Sequence, residues 1–303
     1  MQDVQILMQA LPYFREHRGN TFVLKFGGAL VEDRAALRSL AQDIALLAAV
    51  GIRITIVHGG GPQATALAGR LGLEPQFVEG RRVTDEDTLE VAKMVFAGKI
   101  NLEVLGALRA AGIKSVGLSG VSGDLIHAER RAPTEYKDDE TGERRIVDMG
   151  HVGDITAVDT SLLAELMDSG HVPVIASLAA DTEGNVLNIN ADTVATRLAI
   201  DLGAEKLILL TNVDGVLRDP TDPASLISSV SAREIEELIA AGVIGKGMIP
   251  KVRNAVDAAR NGVDRVHVLN GETSHTLLLE LFTKTGAGTL ITRQEEHTRY
   301  LEE

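Results

Sequence analysis

The stretch Ile52-Arg53-Ile54-Thr55-Ile56-Val57-His58-Gly59-Gly60-Gly61-Pro62 decides the fold. Its β-branched run reads as a strand buried on both faces, as in a parallel sheet. Three glycines then free the backbone, and Pro62 suits the first position of a helix. Strand, glycine turn and helix make a βα unit, and the unit recurs in both directions. Upstream, residues 21–26 form a strand, followed by Gly27-Gly28 and a helix over 34–49. Downstream, strands are expected near 114–118, 172–177, 206–211, 265–269 and 288–292. Helices are expected over 62–71, 85–97, 102–111, 161–169, 191–202, 232–241, 250–261 and 274–282. This alternation implies an α/β chain with a largely parallel sheet covered on both faces. Glu183-Gly184-Asn185 reads as a hairpin turn. Residues 129–145 carry both charge signs in near balance and read as an exposed hairpin, with Gly142 in its turn.

Before the first strand, Val4, Leu7, Leu11 and Phe14 recur at near-helical spacing. They predict a short amphipathic helix that Pro12 kinks or restarts and Gly19 ends. That helix packs either on its own subunit or on a partner. No repeat or low-complexity linker divides the chain, and the best division falls near residue 178.

Composition narrows the function. The chain has 303 residues, 43 acidic and 30 basic, for a net charge of −13. That excess argues against nucleic acid as a partner, because phosphate backbones require clustered Lys and Arg. Cysteine is absent, which removes disulfides, zinc–thiolate sites and thiol nucleophiles. No apolar run is long enough for a membrane span, and no secretory signal opens the chain, so a cytoplasmic protein is expected.

Ligands of open α/β sheets bind beyond the carboxyl ends of the strands, and several ends here are unusual. Lys25 precedes Gly27-Gly28, a loop open to an anion or a plain turn with a solvated Lys. His58 precedes Gly59-Gly60-Gly61-Pro62, where a helix start offers free N–H groups. His58 itself reads first as a satisfied strand-end histidine, with a catalytic role second. Gly59-x-Gly61-x-x-Ala64 also matches a permissive dinucleotide fingerprint, with Glu79 as ribose acid, but only weakly. Arg81-Arg82 is either a surface pair or a bidentate grip on a carboxylate. Asn188-Ile189-Asn190-Ala191-Asp192 sets polar groups before a helix, with Asn190 a candidate N-cap. Thr211-Asn212-Val213-Asp214-Gly215-Val216-Leu217 ends an apolar strand on polar residues. Gly245-Lys246-Gly247-Met248-Ile249-Pro250-Lys251 opens a helix with Lys251 in its first turn. A cation there opposes the helix dipole, which implies an anion nearby. Two Lys and several glycine-rich helix starts suffice for a polyphosphate, and in-line phosphoryl transfer needs chiefly positioning and charge neutralisation. No Asp/His metal cage is evident.

The ordered motifs VLKFGG, IVHGGGPQ, GRRVTD, GLSGVSGDLI, GHVGDI, NINAD, LLTNVDGVL, GMIPKV and ELFTKTGAGTLI, from about Thr21 to Ile291, resemble the amino acid kinase family. The resemblance implies a three-layer αβα sandwich with a mainly parallel central sheet. It implies an amino-acid-substrate lobe over 21–177 and an ATP-binding lobe over 178–303, with residues 1–20 as a kinked oligomer arm. The resemblance is strongest to members that phosphorylate the γ-carboxylate of N-acetyl-L-glutamate with ATP, in arginine biosynthesis. It assigns Lys25 and Lys251 to the moving phosphoryl group and Asp192 to orienting them. It assigns Gly60, Gly61, Arg82 and Asn188 to the acid substrate. Gly27, Gly28, Asn212, Asp214, Gly215, Leu217, Gly247 and Met248 fall to the nucleotide. Mg²⁺ would be held mainly by ATP oxygens, with no protein ligand. His275, Glu280 and Gly286 resemble the arginine-effector signature of hexameric, arginine-inhibited members. A dimer-based homo-oligomer follows, and a PII-type signal protein as partner finds no support in the sequence. The alternatives are a lysine-biosynthesis relative acting on α-aminoadipate, a non-catalytic amino-acid sensor and, weakest, a dinucleotide-binding oxidoreductase.

Overall fold

The structure, a computed structural model, describes residues 2–78, 80–137, 144–219, 221–245, 247–283 and 286–293. Glu79, Lys246 and the whole acidic run 138–143, Gly142 included, lie outside the described residues. The chain opens with α1 (Gln2–His17), β1 (Thr21–Phe26), α2 (Gly28–Glu32), α3 (Arg34–Ala49), β2 (Arg53–His58) and α4 (Gly61–Arg70). Next come β3 (Phe77–Val78), β4 (Arg81–Arg82), α5 (Glu86–Lys93), a π-helical segment (Met94–Ile100), α6 (Asn101–Ala110) and β5 (Ser115–Ser119). Then follow β6 (Ile126–Arg130), β7 (Thr134–Lys137), β8 (Arg144–Val147), β9 (Gly153–Val158), α7 (Ser161–Asp168), β10 (Val172–Ala176), β11 (Leu178–Ala180) and β12 (Val186–Asn188). The remainder is α8 (Ala191–Asp201), β13 (Lys206–Thr211), β14 (Ser229–Ser231), α9 (Ala232–Ala240), α10 (Ile249–Arg260), β15 (Arg265–Asn270), α11 (Thr276–Phe282) and β16 (Thr289–Thr292).

Eight strands form the central sheet in the order β14-β16-β15-β13-β1-β2-β10-β5. All of its pairings are parallel except β15 with β16. The side-chain period of two sends alternate residues to opposite faces. On β1, Phe22, Leu24 and Phe26 enter a core with α2–α6 and α11, whereas Val23 enters a second core with α7–α10. Lys25 shares the parity of Val23, so it projects toward α8. His58 shares the parity of Ile54 and Ile56 and projects toward the α5–α6 side. The three layers expected from the sequence are therefore present, and the sheet runs unbroken across residue 178 through the β1–β13 pairing.

Three features differ from the sequence expectation. The two helices expected over 85–111 are one continuous helical run, joined by the π segment. Helix α1 runs unbroken through Pro12, so no fresh helix starts there. A second, four-stranded sheet, β12-β11-β6-β9, is also present; its strands of three to six residues are too short to give a clear periodicity. The hairpin expected in the charged segment is present as β7 against β8, and Glu183-Gly184 turns β11 into β12.

Candidate active site

Lys25 lies near the end of β1 and is almost wholly buried. Its ammonium is 2.7 Å from Oδ1 of Asp192, in the first turn of α8. Lys251, in the first turn of α10, places Nζ 3.6 Å from Oδ2 of the same carboxylate. Both helix starts are set locally. Asn190 caps α8, accepting from Asp192 N at 2.8 Å and Thr193 N at 3.2 Å. Pro250 opens α10, in place of an N–H with no intrahelical acceptor. Burial is the largest single effect on Asp192 and would raise its pKa. The charges and hydrogen bonds of Lys25 and Lys251 together outweigh it and hold the carboxyl below the usual range. Asp192 thus fixes two ammonium groups beside each other, which would otherwise repel.

The glycine loops flank this triad. A Cβ on Gly28 would stand 2.0 Å from Gln63 Oε1, and Gln63 Nε2 donates to Gly28 O at 2.7 Å. Gln63 thereby ties the first glycine loop to the second. A Cβ on Gly60 would stand 2.2 Å from Ile100 Cδ1 and 2.7 Å from Phe96 Cδ1, so the loop lies directly on the π segment.

A cavity of about 390 Å³ opens beside the triad and is lined by Gly60, Gly61, Arg82, Asn188, Lys25 and Lys251 among others. Arg82 donates through Nη2 to Gly61 O at 3.0 Å and Thr65 Oγ1 at 2.6 Å, and its guanidinium lies 4.9 Å from the Phe77 ring centroid. Its Nη1 is buried without a hydrogen-bond partner, a donor left over for a carboxylate. Asn188, at the end of β12, donates to Thr84 Oγ1 at 3.1 Å. A second cavity of about 200 Å³ is lined by Asn212, Thr211, Ala29 and Glu272. The two cavities share Lys25, Gly27, Gly28, Pro62 and Lys251.

Other expected nucleotide residues have structural roles of their own. Asp214 accepts from Asn270 Nδ2 at 2.8 Å. Gly215 has φ +155°, and a Cβ there would lie 2.5 Å from Thr289 Oγ1. Leu217 bridges Leu226. Gly247 and Met248 form the turn that opens α10.

Sequence reasoning missed several lining residues. Arg131 lies in the segment read as exposed, yet it lines the larger cavity and donates to both oxygens of Asp154 at 3.1 Å. Ser177, Phe77 and Met149 also line it. Their only sequence signal was proximity to strand ends, which periodicity does not rank.

A separate cavity of about 530 Å³ lies between α1 and α11, lined by Tyr13, His17, Lys206, Arg265, His267, Glu280 and Gly286. Glu280 is 6% exposed and accepts from Ala287 N at 2.6 Å and Gly288 N at 3.1 Å. His267 Nδ1 lies 2.7 Å from Glu280 Oε1, and its Nε2 is buried without a partner. His275 does not join this group. It stands at φ +61° before α11, with Nδ1 2.6 Å from the buried carboxylate of Asp43 on α3. Of the two histidines that line this cavity, His17 and His267, the one paired with Glu280 is His267, which sits within an apolar strand and is invisible as a motif.

The sandwich and its Lys–Asp–Lys site define a class. The profile of the amino acid kinase family matches residues 20–270, and the chain belongs to that family. Its relatives include the acetylglutamate kinase of Methanothermobacter thermautotrophicus, 45% identical over 96% of this chain and 100% of its own. That of Symbiobacterium thermophilum is 48% identical over 95% and 97%. Such near-full-length identity makes the chain an enzyme of the acetylglutamate kinase group. Among solved structures, N-acetylglutamate synthase from Neisseria gonorrhoeae, complexed with coenzyme A and N-acetyl-glutamate, is 32% identical with a TM-score of 0.81. This chain spans 96% of itself and 63% of the synthase in that match. An isopentenyl phosphate kinase matches at 25% identity and TM-score 0.59, over 90% of this chain and all of that one. Among the described residues, no helix is long and apolar enough to cross a membrane.

Proposed function

We propose that this enzyme transfers the γ-phosphoryl group of ATP to the γ-carboxylate of N-acetyl-L-glutamate, giving an acyl phosphate and ADP in the second step of arginine biosynthesis. The observation that carries the reading is the pair of adjoining cavities that meet at Lys25 and Lys251. The acid occupies the larger cavity, with its α-carboxylate on Arg82 and Asn188 beside it. The nucleotide occupies the smaller one, over Asn212 and toward Asp214, Gly215, Leu217, Gly247 and Met248. The acceptor carboxylate is ionised at neutral pH and needs no general base. Lys25 and Lys251 neutralise charge on the moving phosphoryl, Asp192 holds them, and N–H groups of the glycine loops supply further donors. Mg²⁺ would ride on the ATP phosphates and add positive charge there. Both oxygens of Asp192 face lysines, which suits that arrangement.

The test is hydroxamate trapping of the acyl phosphate with ATP and candidate acids. Product from N-acetylglutamate is expected. No product from it, with turnover of aspartate, UMP or carbamate, would overturn the reading.

Arginine is the proposed effector of the cavity between α1 and α11. A ligand with an amino-acid head and a guanidinium suits Glu280, the unpartnered Nε2 of His267 and the Gly286 turn. A second gonococcal synthase structure, complexed with coenzyme A and L-arginine, supports this choice; it is 30% identical with a TM-score of 0.80, over 96% of this chain and 65% of that one. The proposed assembly is a cytoplasmic hexamer, a trimer of dimers linked through α1, with residues 21–177 and 178–303 acting as acid and nucleotide lobes.

A further inference from the structure

Beyond the residues that touch substrate, His58 stands out. It is fully buried at the end of β2, directly before the glycine loop, and the chemistry above makes no use of it. Its surroundings fix its proton. Asn101 follows the π segment and is itself buried, and its side-chain nitrogen lies 3.2 Å from Val174 O and 3.3 Å from Leu118 O. Two carbonyl neighbours require a donor, so the nitrogen of the amide faces them and not its oxygen. That same nitrogen lies 3.2 Å from His58 Nε2 and, having no capacity to accept, pairs with it only with Nε2 as acceptor. The oxygen of Asn101 points to Gly117, where a Cβ would stand only 2.0 Å away. With Nε2 accepting, the proton of a neutral ring resides on Nδ1, and Nδ1 lies 3.2 Å from Gly59 O.

This bond has a consequence for the site. All described peptides are trans, so the Gly59 carbonyl and the Gly60 N–H point in opposite directions. Drawing Gly59 O toward the ring aims Gly60 N–H away from the ring, and Gly60 itself lines the cavity. We infer that His58 is a positioning residue: held as the Nδ1–H tautomer by Asn101, it orients the Gly59–Gly60 peptide so that Gly60 N–H donates to the reacting carboxylate and phosphoryl. The inference rests on the function proposed above. The π segment takes part, since it delivers Asn101 and lays Phe96 and Ile100 beneath Gly60.

The experiment has two arms. Nitrogen-15 NMR of the wild-type imidazoles, with the His58 signals assigned by difference from H58N, should show a neutral Nδ1–H ring between pH 6 and 8. An Nε2–H ring, or one that titrates in that range, overturns the inference. In kinetics, H58N keeps an amide N–H where Nδ1 stands, H58Q moves it to the Nε2 position, and H58L has none. Loss of one aligned donor predicts roughly a 10²-fold fall in kcat for H58L and H58Q, with H58N within about 10-fold of wild type and KM for ATP little changed. H58N no faster than H58Q, or H58L at wild-type kcat, overturns it. Should H58L fail to fold, the H58N and H58Q pair still decides. Wild-type turnover with N-acetylglutamate is measured first: its absence sinks the proposed function, while the tautomer measurement still judges His58.

Discussion

Lys25, Asp192 and Lys251 are electrostatically one unit. Substituting Lys251 by Ala leaves the fold intact, because its side chain is partly exposed, yet removes charge from the moving phosphoryl. Turnover should fall by about 10²–10³-fold with KM for ATP less affected, as steady-state kinetics will read. Arg82→Ala should instead raise KM for the acid at least about tenfold, since it removes a charge-assisted grip. Circular dichroism serves as the folding control for both. His58 gives a residue-scale prediction of a different kind. Burial depresses its pKa to about 4, against a value near 6.5 in the unfolded chain. The unfolded state then binds more protons between those values, so stability is full above pH 6.5 and falls as pH drops toward 4. The loss reaches about 3 kcal/mol, and denaturant melts at stepped pH should show it in wild type but not in H58N. These residues were legible to different degrees. Lys251 announced itself as a cation at the wrong end of a helix, and Arg82 as one of a pair. Gln63 and Arg131 were given no role, because what they do is contact residues distant in sequence.

At the scale of elements, the glycine loops and the π segment form one assembly. Gly60→Ala would drive a methyl into Ile100 and Phe96, and Gly117→Ala would drive one into Asn101. Each should cost about 1–3 kcal/mol as overpacking, read as a shift in melting temperature. Gly60→Ala should also lower kcat, because the loop that bears the donor must move. The π segment was hidden from the sequence because one added residue in a turn leaves hydrophobic spacing nearly unchanged, and the run divided into two ordinary helices. The four-stranded sheet was hidden by its short, half-polar strands. The βα units were legible because buried parallel strands are long apolar runs closed by glycine.

For the whole molecule, the proposed effector cavity lies between α1 and α11, elements far apart in sequence. Arginine bound there would stabilise whichever conformation it prefers, and catalysis would respond only through that difference. Arginine at 100 times its Kd should raise folding stability by about 2.7 kcal/mol, seen as a higher Tm, and should inhibit turnover. Glu280→Gln should weaken both effects while leaving turnover without arginine unchanged. Light scattering should give a hexamer that loses its dimer-to-dimer links when residues 1–20 are removed; a dimer insensitive to both treatments would refute the arm and the effector together.

By itself the sequence determined the α/β alternation, the glycine loops at the strand ends and the cations available for phosphate, because these follow from local backbone freedom and side-chain period. Tertiary structure alone decided which charges meet. Strand parity sends Lys25 to α8 and His58 to α6, and the parallel register then brings Asp192 and Lys251 to one point. The start of α11 turns His275 to Asp43, away from Glu280, and β15 sets His267 beside Glu280 instead. Such meetings depend on which strands pair and which faces pack, and those are properties of the assembled sheet.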